Sequence, residues 1–209
     1  MKIKLIILVS LFLSQNAFAD NPVVVLGKKL KAESFELNIF TNQYYFPFLG
    51  IKNIATAKYH PGFSCGYLRN LKVKKKTTLY ADMRFGIYHH RFIQTGIQIY
   101  GDLGYRVNLP YKFFLAGEFG LGYLHSIKQQ TTFKADAEGN YTKVINLGRP
   151  QLMTGIGLKL GKELVISNQK GRVFINYQPW FQLPFIKSYV PLLPNNSFHI
   201  GFDFILNNK

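Results

Sequence analysis

Along most of its length the chain alternates between apolar residues and polar or small residues with a period of two. The pattern is clearest over residues 79–88. There one set comprises Leu79, Ala81, Met83, Phe85 and Ile87, and the other comprises Tyr80, Asp82, Arg84, Gly86 and Tyr88. Because successive side chains of a β-strand point to opposite faces, this alternation predicts a strand with one apolar face.

Eight segments repeat the pattern and helical periodicity is almost absent, so the sequence predicts an all-β protein. The segments are residues 35–42, 57–69, 79–88, 93–106, 113–123, 150–161, 173–183 and 196–206. Most are roughly 11 to 15 residues long, which suits a tilted membrane strand of about 9 to 11 residues plus its ends. A typical soluble strand has about five or six residues. The first segment is the weakest, with an apolar face of Phe35, Leu37 and Ile39.

Alternation alone does not say which face is inside, because a soluble barrel of the lipocalin type also alternates, with its apolar face inward. The composition of the polar faces favours the opposite arrangement, in which the apolar face points outward. A solvated strand face usually carries lysine and threonine, whereas here Lys159 is the main interior lysine and small residues are frequent. The small residues are Gly62, Ser64, Gly66, Gly86, Gly96, Gly104, Gly120, Gly122, Gly155 and Gly157. Such residues suit the narrow lumen of an eight-stranded barrel. We therefore predict an eight-stranded antiparallel up-and-down transmembrane β-barrel, with Ile97, Phe119 and Phe181 facing lipid.

Connection lengths predict the orientation, because outer-membrane barrels have short periplasmic turns and longer external loops. Short connections follow even strands at residues 70–76 and 108–111, and longer ones follow odd strands at 43–56, 128–149 and 187–195. Two connections fit less well. The tight turn at Arg91 and Phe92 is placed outside, and the connection 161–171 is long for a periplasmic turn.

The amino terminus predicts export. Lys2 and Lys4 precede a short apolar run, and Ala-Phe-Ala at residues 17–19 fits the small-x-small rule for signal-peptide cleavage. The predicted organisation is a signal peptide over residues 1–19, a flexible leader over 20–33 and a β-barrel over 34–207. Cleavage would lower the formal charge from +16 to +14. The single cysteine, Cys65, leaves no intramolecular disulfide to form.

Three stretches resemble small bacterial outer-membrane β-barrel proteins of the Bacteroidota type. They are HPGFSCGY at residues 60–67, GLGYLH at 120–125 and FHIGFDF at 198–204, and the resemblance spans about residues 57–206. It implies a location in the bacterial outer membrane. It also implies that the barrel-insertion machinery reads the alternating aromatics of the last strand, although five residues follow Phe204. The resemblance implies no particular activity, because a fold rarely fixes a function.

Five charged residues take the lumenal phase of three consecutive predicted strands: Asp82 and Arg84, Asp102 and Arg106, and Glu118. Buried charges persist when they are paired, so we expect these groups to pair across the barrel interior. An eight-stranded lumen is normally filled by side chains. We favour a structural plug of salt bridges; the alternative is a gate or an ion path.

All five histidines lie near the predicted external ends of strands. By alternation His60, His90 and His199 face inward, so they could converge at the rim and bind a transition metal or act as acid and base. No tight ligand spacing supports this, and we favour amphipathic residues of the membrane interface. We predict no cofactor.

The adjacent residues His125 and Ser126 invite comparison with outer-membrane lipid A deacylases, which are similar barrels that use histidine, serine and an acid. A catalytic pair needs both side chains on one side of the wall. Neighbours on a strand point to opposite faces, so this pair fails that requirement if both residues lie in regular strand.

The exposed basic residues predict contacts with anionic lipids. Lys72, Lys74, Lys75 and Lys76 form the densest cluster, which either contacts headgroups at the inner face of the membrane or is a solvated turn. The external residues Lys52, Arg91, Lys128, Lys134, Lys143, Arg149 and Lys187 could contact lipopolysaccharide phosphates in the same way. An exported chain meets no nucleic acid, so we expect no such partner.

The sequence therefore predicts a non-enzymatic outer-membrane barrel with a side-chain-filled lumen and external loops that bind lipid or a partner. Two alternatives remain: an enzyme that acts on outer-membrane lipids at the external rim, and a narrow channel.

Overall fold

The computed structural model describes residues 33–44, 59–130, 132–135, 139–166, 169–185 and 191–206. The predicted signal peptide, and the predicted leader up to residue 32, lie outside these residues. The strands are β1 (Glu33–Gln43), β2 (Pro61–Val73), β3 (Thr77–His90), β4 (Gln94–Asn108), β5 (Phe113–Lys128), β6 (Thr132–Ala135), β7 (Tyr141–Val144), β8 (Arg149–Ile166), β9 (Gln169–Leu183) and β10 (Leu193–Leu206). No helix among the described residues is long and apolar enough to cross a membrane.

Eight of the strands form a closed antiparallel barrel in the order β1-β10-β9-β8-β5-β4-β3-β2. The first and last strands close it, with Glu33 opposite Leu206 and Gln43 opposite Asn196. The predicted fold class, an all-β eight-stranded antiparallel up-and-down barrel, is confirmed. The short strands β6 and β7 form a separate hairpin between β5 and β8, which the alternation did not predict.

The barrel has two distinct ends. The turn end holds the outer ends of both terminal strands and the connections β2–β3, β4–β5 and β8–β9. The loop end holds the longer connections β1–β2, β5–β8 and β9–β10 together with the tight β3–β4 turn. One expectation here was wrong: the β8–β9 connection is tight, because Ile166 already pairs with Gln169. The charged residues after Gly161 prolong the two strands and do not form a loop.

The apolar faces point outward, as predicted. Met83 is 67% exposed and Phe119 is 58% exposed, whereas Arg84 is 1% exposed and Glu118 is 4% exposed. The outward apolar residues of β5 run from Phe113 to Tyr123. At about 3.4 Å per residue this is about 34 Å of strand, or roughly 26 Å along the barrel axis at a tilt of about 40°. That height matches the apolar band of an outer-membrane barrel, which is about 25 Å tall.

The inward glycines make room for aromatic rings from neighbouring strands. A Cβ atom at Gly96 would overlap the ring of Tyr88, and one at Gly104 would overlap the ring of Tyr80. The same relation joins Gly62 to Phe40 and Gly161 to Phe114, whereas a Cβ atom at Gly122 or Gly155 would overlap the Cβ and backbone atoms of Tyr100 or Trp180. The small residues of the lumenal face are therefore the positions over which the large side chains of the core lie.

Candidate functional site

Charged side chains from five strands meet at mid-height in the lumen and form what we term the central ion cluster. Its members are Glu36 (β1), Asp82 and Arg84 (β3), Asp102 (β4), Glu118 (β5) and Lys159 (β8). All six side chains are nearly inaccessible to solvent. They are gathered there because each takes the inward phase of its strand.

Arg84 is the hub of the cluster. One guanidinium nitrogen, Nη2, lies 2.7 Å from Asp82 Oδ2, 3.0 Å from Asp102 Oδ2 and 3.1 Å from Glu118 Oε1. Its Nε atom lies 3.3 Å from Glu36 Oε1. A single cation thus faces four carboxyl groups, so its removal would leave several buried charges without a partner.

Lys159 is the second cation of the cluster. Its Nζ atom lies 2.7 Å from Glu118 Oε1 and 3.0 Å from Glu36 Oε2, and 4.4 Å from the centre of the Phe174 ring. Tyr80 and Asn176 complete the shell by donating hydrogen bonds of 2.6 Å and 2.9 Å to the Glu118 carboxylate. The carboxylates of the cluster therefore accept neutral as well as charged donors.

Four of the five charges predicted to pair, Asp82, Arg84, Asp102 and Glu118, lie in the cluster. Arg106 does not. It lies nearer the turn end, where its Nη2 donates a 3.2 Å hydrogen bond to Asn70 Oδ1 and its guanidinium lies over the rings of Tyr80 and Phe114. Within the described residues, no carboxylate lies at ion-pair distance from Arg106.

Sequence reasoning missed three charged residues of the lumen, Glu36, Arg172 and Asp203, and it placed Lys159 inside without including it among the charges expected to pair. Glu36 and Lys159 belong to the central ion cluster, and Arg172 forms a separate pair with Asp203 near the turn end, with Nε 2.9 Å from Oδ2. Arg172 also donates a 3.1 Å hydrogen bond to Ser34 Oγ. The signal that could have found them is the inward phase of their strands, which Lys159 already showed.

Between the cluster and the loop end the lumen changes character. An apolar layer comes first, which we term the aromatic tier. It consists of the aromatic residues Phe40, Tyr88, Tyr100 and Trp180 together with Leu124 and Met153. An amide tier then follows, consisting of Asn42, Gln94, Gln151, Gln182 and Asn195. Gln182 donates to Gln151 Oε1 at 2.6 Å and exchanges hydrogen bonds with Gln94 at 2.9 Å and 3.2 Å. These tiers fill the lumen without charge.

Only two of the three predicted rim histidines meet. His60 and His90 stack with ring centroids 3.6 Å apart, and the Tyr44 ring meets His90 edge-on at 4.8 Å. Burial raises the pKa of the Tyr44 hydroxyl well above its ordinary value, so it stays protonated. His199 is instead stacked on Phe40 at 4.6 Å and is 1% exposed. Among the described residues, no group of three histidine, cysteine or acidic side chains could hold a metal ion.

His125 and Ser126 lie on opposite sides of the barrel wall. The His125 ring lies outside, with Nε2 2.9 Å from the Leu147 carbonyl oxygen and Nδ1 3.0 Å from the Tyr123 hydroxyl. Ser126 lies inside with 0% exposure. The two side chains cannot act as a histidine-serine pair in this arrangement.

The lysine run borders the turn end. Lys72 lies near the end of β2, and Lys74, Lys75 and Lys76 form the connection to β3. A 2.8 Å hydrogen bond from the Lys74 amide to the Thr77 carbonyl oxygen closes this turn. All four lysines are exposed, directly below the apolar band.

Comparison with known proteins gives a likeness of fold alone. No protein-family model and no curated protein sequence matches the chain. Among solved structures, the outer membrane enzyme PagL has a TM-score of 0.48 at 10% identity, covering 83% of this chain and 99% of that chain. Neisserial surface protein A has a TM-score of 0.47 at 8% identity, with 84% and 96% covered. The outer membrane protein AlkL has a TM-score of 0.42 at 7% identity, with 92% and 98% covered.

These neighbours include an enzyme and proteins that are not described as enzymes, so the likeness does not extend to activity or ligands. The resemblance to a Bacteroidota-type family stays a prediction.

Proposed function

We propose that this protein is a non-enzymatic barrel of the bacterial outer membrane, with a lumen sealed by side chains and a loop end that binds a lipid or a partner. One observation carries the proposal. The central ion cluster, the aromatic tier and the amide tier lie one above another from mid-height to the loop end, and Arg106, Arg172 and Asp203 are buried in the lumen toward the turn end. An eight-stranded barrel with such an interior is a packed scaffold and not a pore.

The outer wall supports the membrane location. Exposed large apolar side chains surround the barrel, among them Ile39, Met83 and Leu158. In water such a surface would be costly, at about 25 cal/mol for each Å² of apolar area left exposed. In hydrocarbon it is favourable, and barrel closure satisfies the backbone groups that a lipid environment cannot.

The orientation follows from the connections. The turn end, with its exposed lysines, would face the periplasm and the headgroups of the inner leaflet. The loop end, where Arg91, Lys128 and Lys143 are exposed, would face outward and could contact lipopolysaccharide phosphates. The closing strand β10 presents outward Phe198, Phe202 and Phe204, the kind of alternation that would let the insertion machinery recognise it.

Two experiments test this proposal. Purified membrane fractions should show a band that migrates differently on a gel before and after boiling, because closed barrels resist detergent unfolding at room temperature. The same protein in planar lipid bilayers should give no steady conductance, with a water-filled porin as the positive control. A boiled sample that migrates like the unboiled one would contradict the membrane barrel, and regular unitary currents would favour the narrow channel.

The enzymatic alternative has its own test. Lipid A incubated with the folded protein in detergent should keep all its acyl chains. If the protein removes an acyl chain, and if replacement of His60, His90 and His199 abolishes this removal, the result would favour the lipid-modifying enzyme.

A further inference from the structure

A half-buried arginine that has no acidic partner among the described residues lies inside the loop-end mouth. Arg149, the first residue of β8, is directly opposite Ser126 of β5 in the antiparallel register. Ser126, its partner across the strands, and Gln151, two residues further along β8, are both buried in the lumen. Arg149 therefore takes the inward phase, so its side chain lies on the lumenal side of the wall.

Both members of this pair have unused donors. The Nε and one terminal nitrogen of Arg149 are buried, and neither has a hydrogen-bond partner among the described residues. The Ser126 hydroxyl is also buried without a partner within the same set. A buried donor that makes no hydrogen bond is destabilising, and more so when the group is charged. Two such groups side by side indicate a position that a ligand would complete.

The surroundings are basic. Lys128 takes the same phase as Ser126, two residues further along β5, and is exposed at the loop end. All the carboxylates of the described residues lie at mid-height or at the turn end. Asp136 and Glu138, which follow β6, lie outside the described residues.

The local backbone holds Arg149 in this position. Gly148 precedes it with φ of 84°, a left-handed conformation that suits glycine, and a Cβ atom there would also crowd the His125 ring. The bond between His125 Nε2 and the Leu147 carbonyl fastens the approach to β8 from outside. The guanidinium lies over the Phe185 ring at 5.3 Å. The side chain is thus placed by contacts on both sides of the wall.

We infer that Arg149, Ser126 and Lys128 form an oxyanion-binding site in the loop-end mouth, and that its ligand carries a phosphate group. Guanidinium donors match the oxygens of phosphate in a bidentate manner, the Ser126 hydroxyl lies opposite Arg149 in the register, and Lys128 adds positive charge at the same end. The inference rests on the proposed function, since it names the chemistry that the loop end would recognise. Because the site lies inside the wall, a phosphate group would reach it through the loop-end mouth.

The test uses the full chain folded in detergent micelles, with inorganic phosphate as the probe and isothermal titration calorimetry as the readout. We expect saturable binding with Kd in the millimolar range. Arg149→Gln should weaken it by about tenfold or more, because one charged hydrogen-bonding group contributes about 1.5–3 kcal/mol. Ser126→Ala should weaken it by a smaller factor.

Arg69→Gln is the matched control. Arg69 is an exposed arginine near the turn end, where its Nε atom lies 3.5 Å from Glu33 Oε1, so it lies far from the loop-end mouth. Binding by Arg69→Gln should equal that of the unaltered chain. Every variant must keep its heat-modifiable migration, so that a folding defect is recognised.

A second arm distinguishes the source of the phosphate group. A short-chain phosphatidic acid is added to the same micelles and competed with inorganic phosphate. Competition supports a lipid headgroup, and binding of inorganic phosphate without competition supports a soluble ligand. Absence of saturable phosphate binding, or equal binding by Arg149→Gln and Arg69→Gln, would overturn the inference. A non-conducting, heat-modifiable barrel that binds no phosphate would leave the proposed function intact.

Discussion

The two halves of the lumen fill the same kind of space with different chemistry. The part from mid-height toward the turn end is what we term the ion half. It contains the central ion cluster, in which four carboxyl groups surround two cations. The part toward the loop end is what we term the amide half, and it contains the aromatic tier and the amide tier. There Gln182 makes its hydrogen bonds within a chain of amide side chains. Both halves join strands that are distant in sequence.

The difference lies in how each half responds to a missing partner. A buried ion that loses its counter-ion cannot be rehydrated, and breaking such a pair costs about 3–5 kcal/mol. An amide that loses one neighbour keeps others, and a neutral hydrogen bond contributes about 0.5–1.5 kcal/mol net. The ion half should therefore depend on each of its members, whereas the amide half should lose stability by small steps.

The largest effect is expected for Arg84→Met. This change leaves Glu36, Asp82 and Asp102 without their shared guanidinium, so the free energy of unfolding should fall by about 3–5 kcal/mol or more. Urea titration measures this loss of stability, with unfolding monitored by gel migration and by the fluorescence of Trp180, the single tryptophan. Arg69→Met is the control, because the exposed Arg69–Glu33 pair at 3.5 Å should contribute at most about 1 kcal/mol. Equal losses in the two variants would refute the central role of Arg84.

A double-mutant cycle sharpens the comparison within the ion half. Lys159→Met and Glu118→Gln should each destabilise the barrel, and the double variant should be more stable than the sum of the two changes predicts. We expect a coupling energy of about 1–3 kcal/mol, because Nζ and Oε1 lie 2.7 Å apart. The same urea titrations apply. Strict additivity would mean that the two groups do not depend on each other.

In the amide half, Gln182→Leu should lower the free energy of unfolding by about 1–3 kcal/mol. The change removes the donor to Gln151 and both bonds with Gln94, leaving two buried amides short of partners. Gln129→Leu is the matched control, since Gln129 makes one exposed bond to Thr95 and should change stability by at most about 0.5 kcal/mol. A loss for Gln182→Leu as large as that for Arg84→Met would remove the contrast between the halves.

The smallest effect is expected for His199→Leu. Both ring nitrogens of His199 are buried without a hydrogen-bond partner among the described residues, so replacement removes a polar penalty while losing the stacking on Phe40. The two effects oppose each other, and the free energy of unfolding should stay within about 1 kcal/mol of the unaltered chain. A loss of the size expected for Arg84→Met would place the imidazole functionally within the ion half.

The side of the wall on which a residue lies could be read from the sequence. Phe119 is outside and Glu118 is inside because alternation has a period of two wherever a strand is regular. The closed eight-stranded barrel followed from the number and length of such segments. These features depend on local pattern alone, and a single sequence contains that pattern.

The height of a residue along the barrel could not be read in the same way. His60, His90 and His199 share the inward phase, yet only the first two meet, and Arg106 lies away from the other predicted charges. Height depends on the tilt and stagger of the strands, which alternation does not encode. Glu36 was missed for a different reason, because the first strand is short and follows a stretch with little pattern.

The central ion cluster also constrains the order in which the barrel is assembled. Glu36 arrives with the first strand and Lys159 with one of the last three barrel strands, and their side chains lie 3.0 Å apart only when the sheet has curled fully round. An intermediate with β1 and β10 still apart could retain the Arg84–Glu36 and Lys159–Glu118 contacts but would lack the contact between Glu36 and Lys159. Sealing of the seam and formation of this last cross-lumen ion pair therefore coincide, which couples closure of the barrel to completion of the cluster.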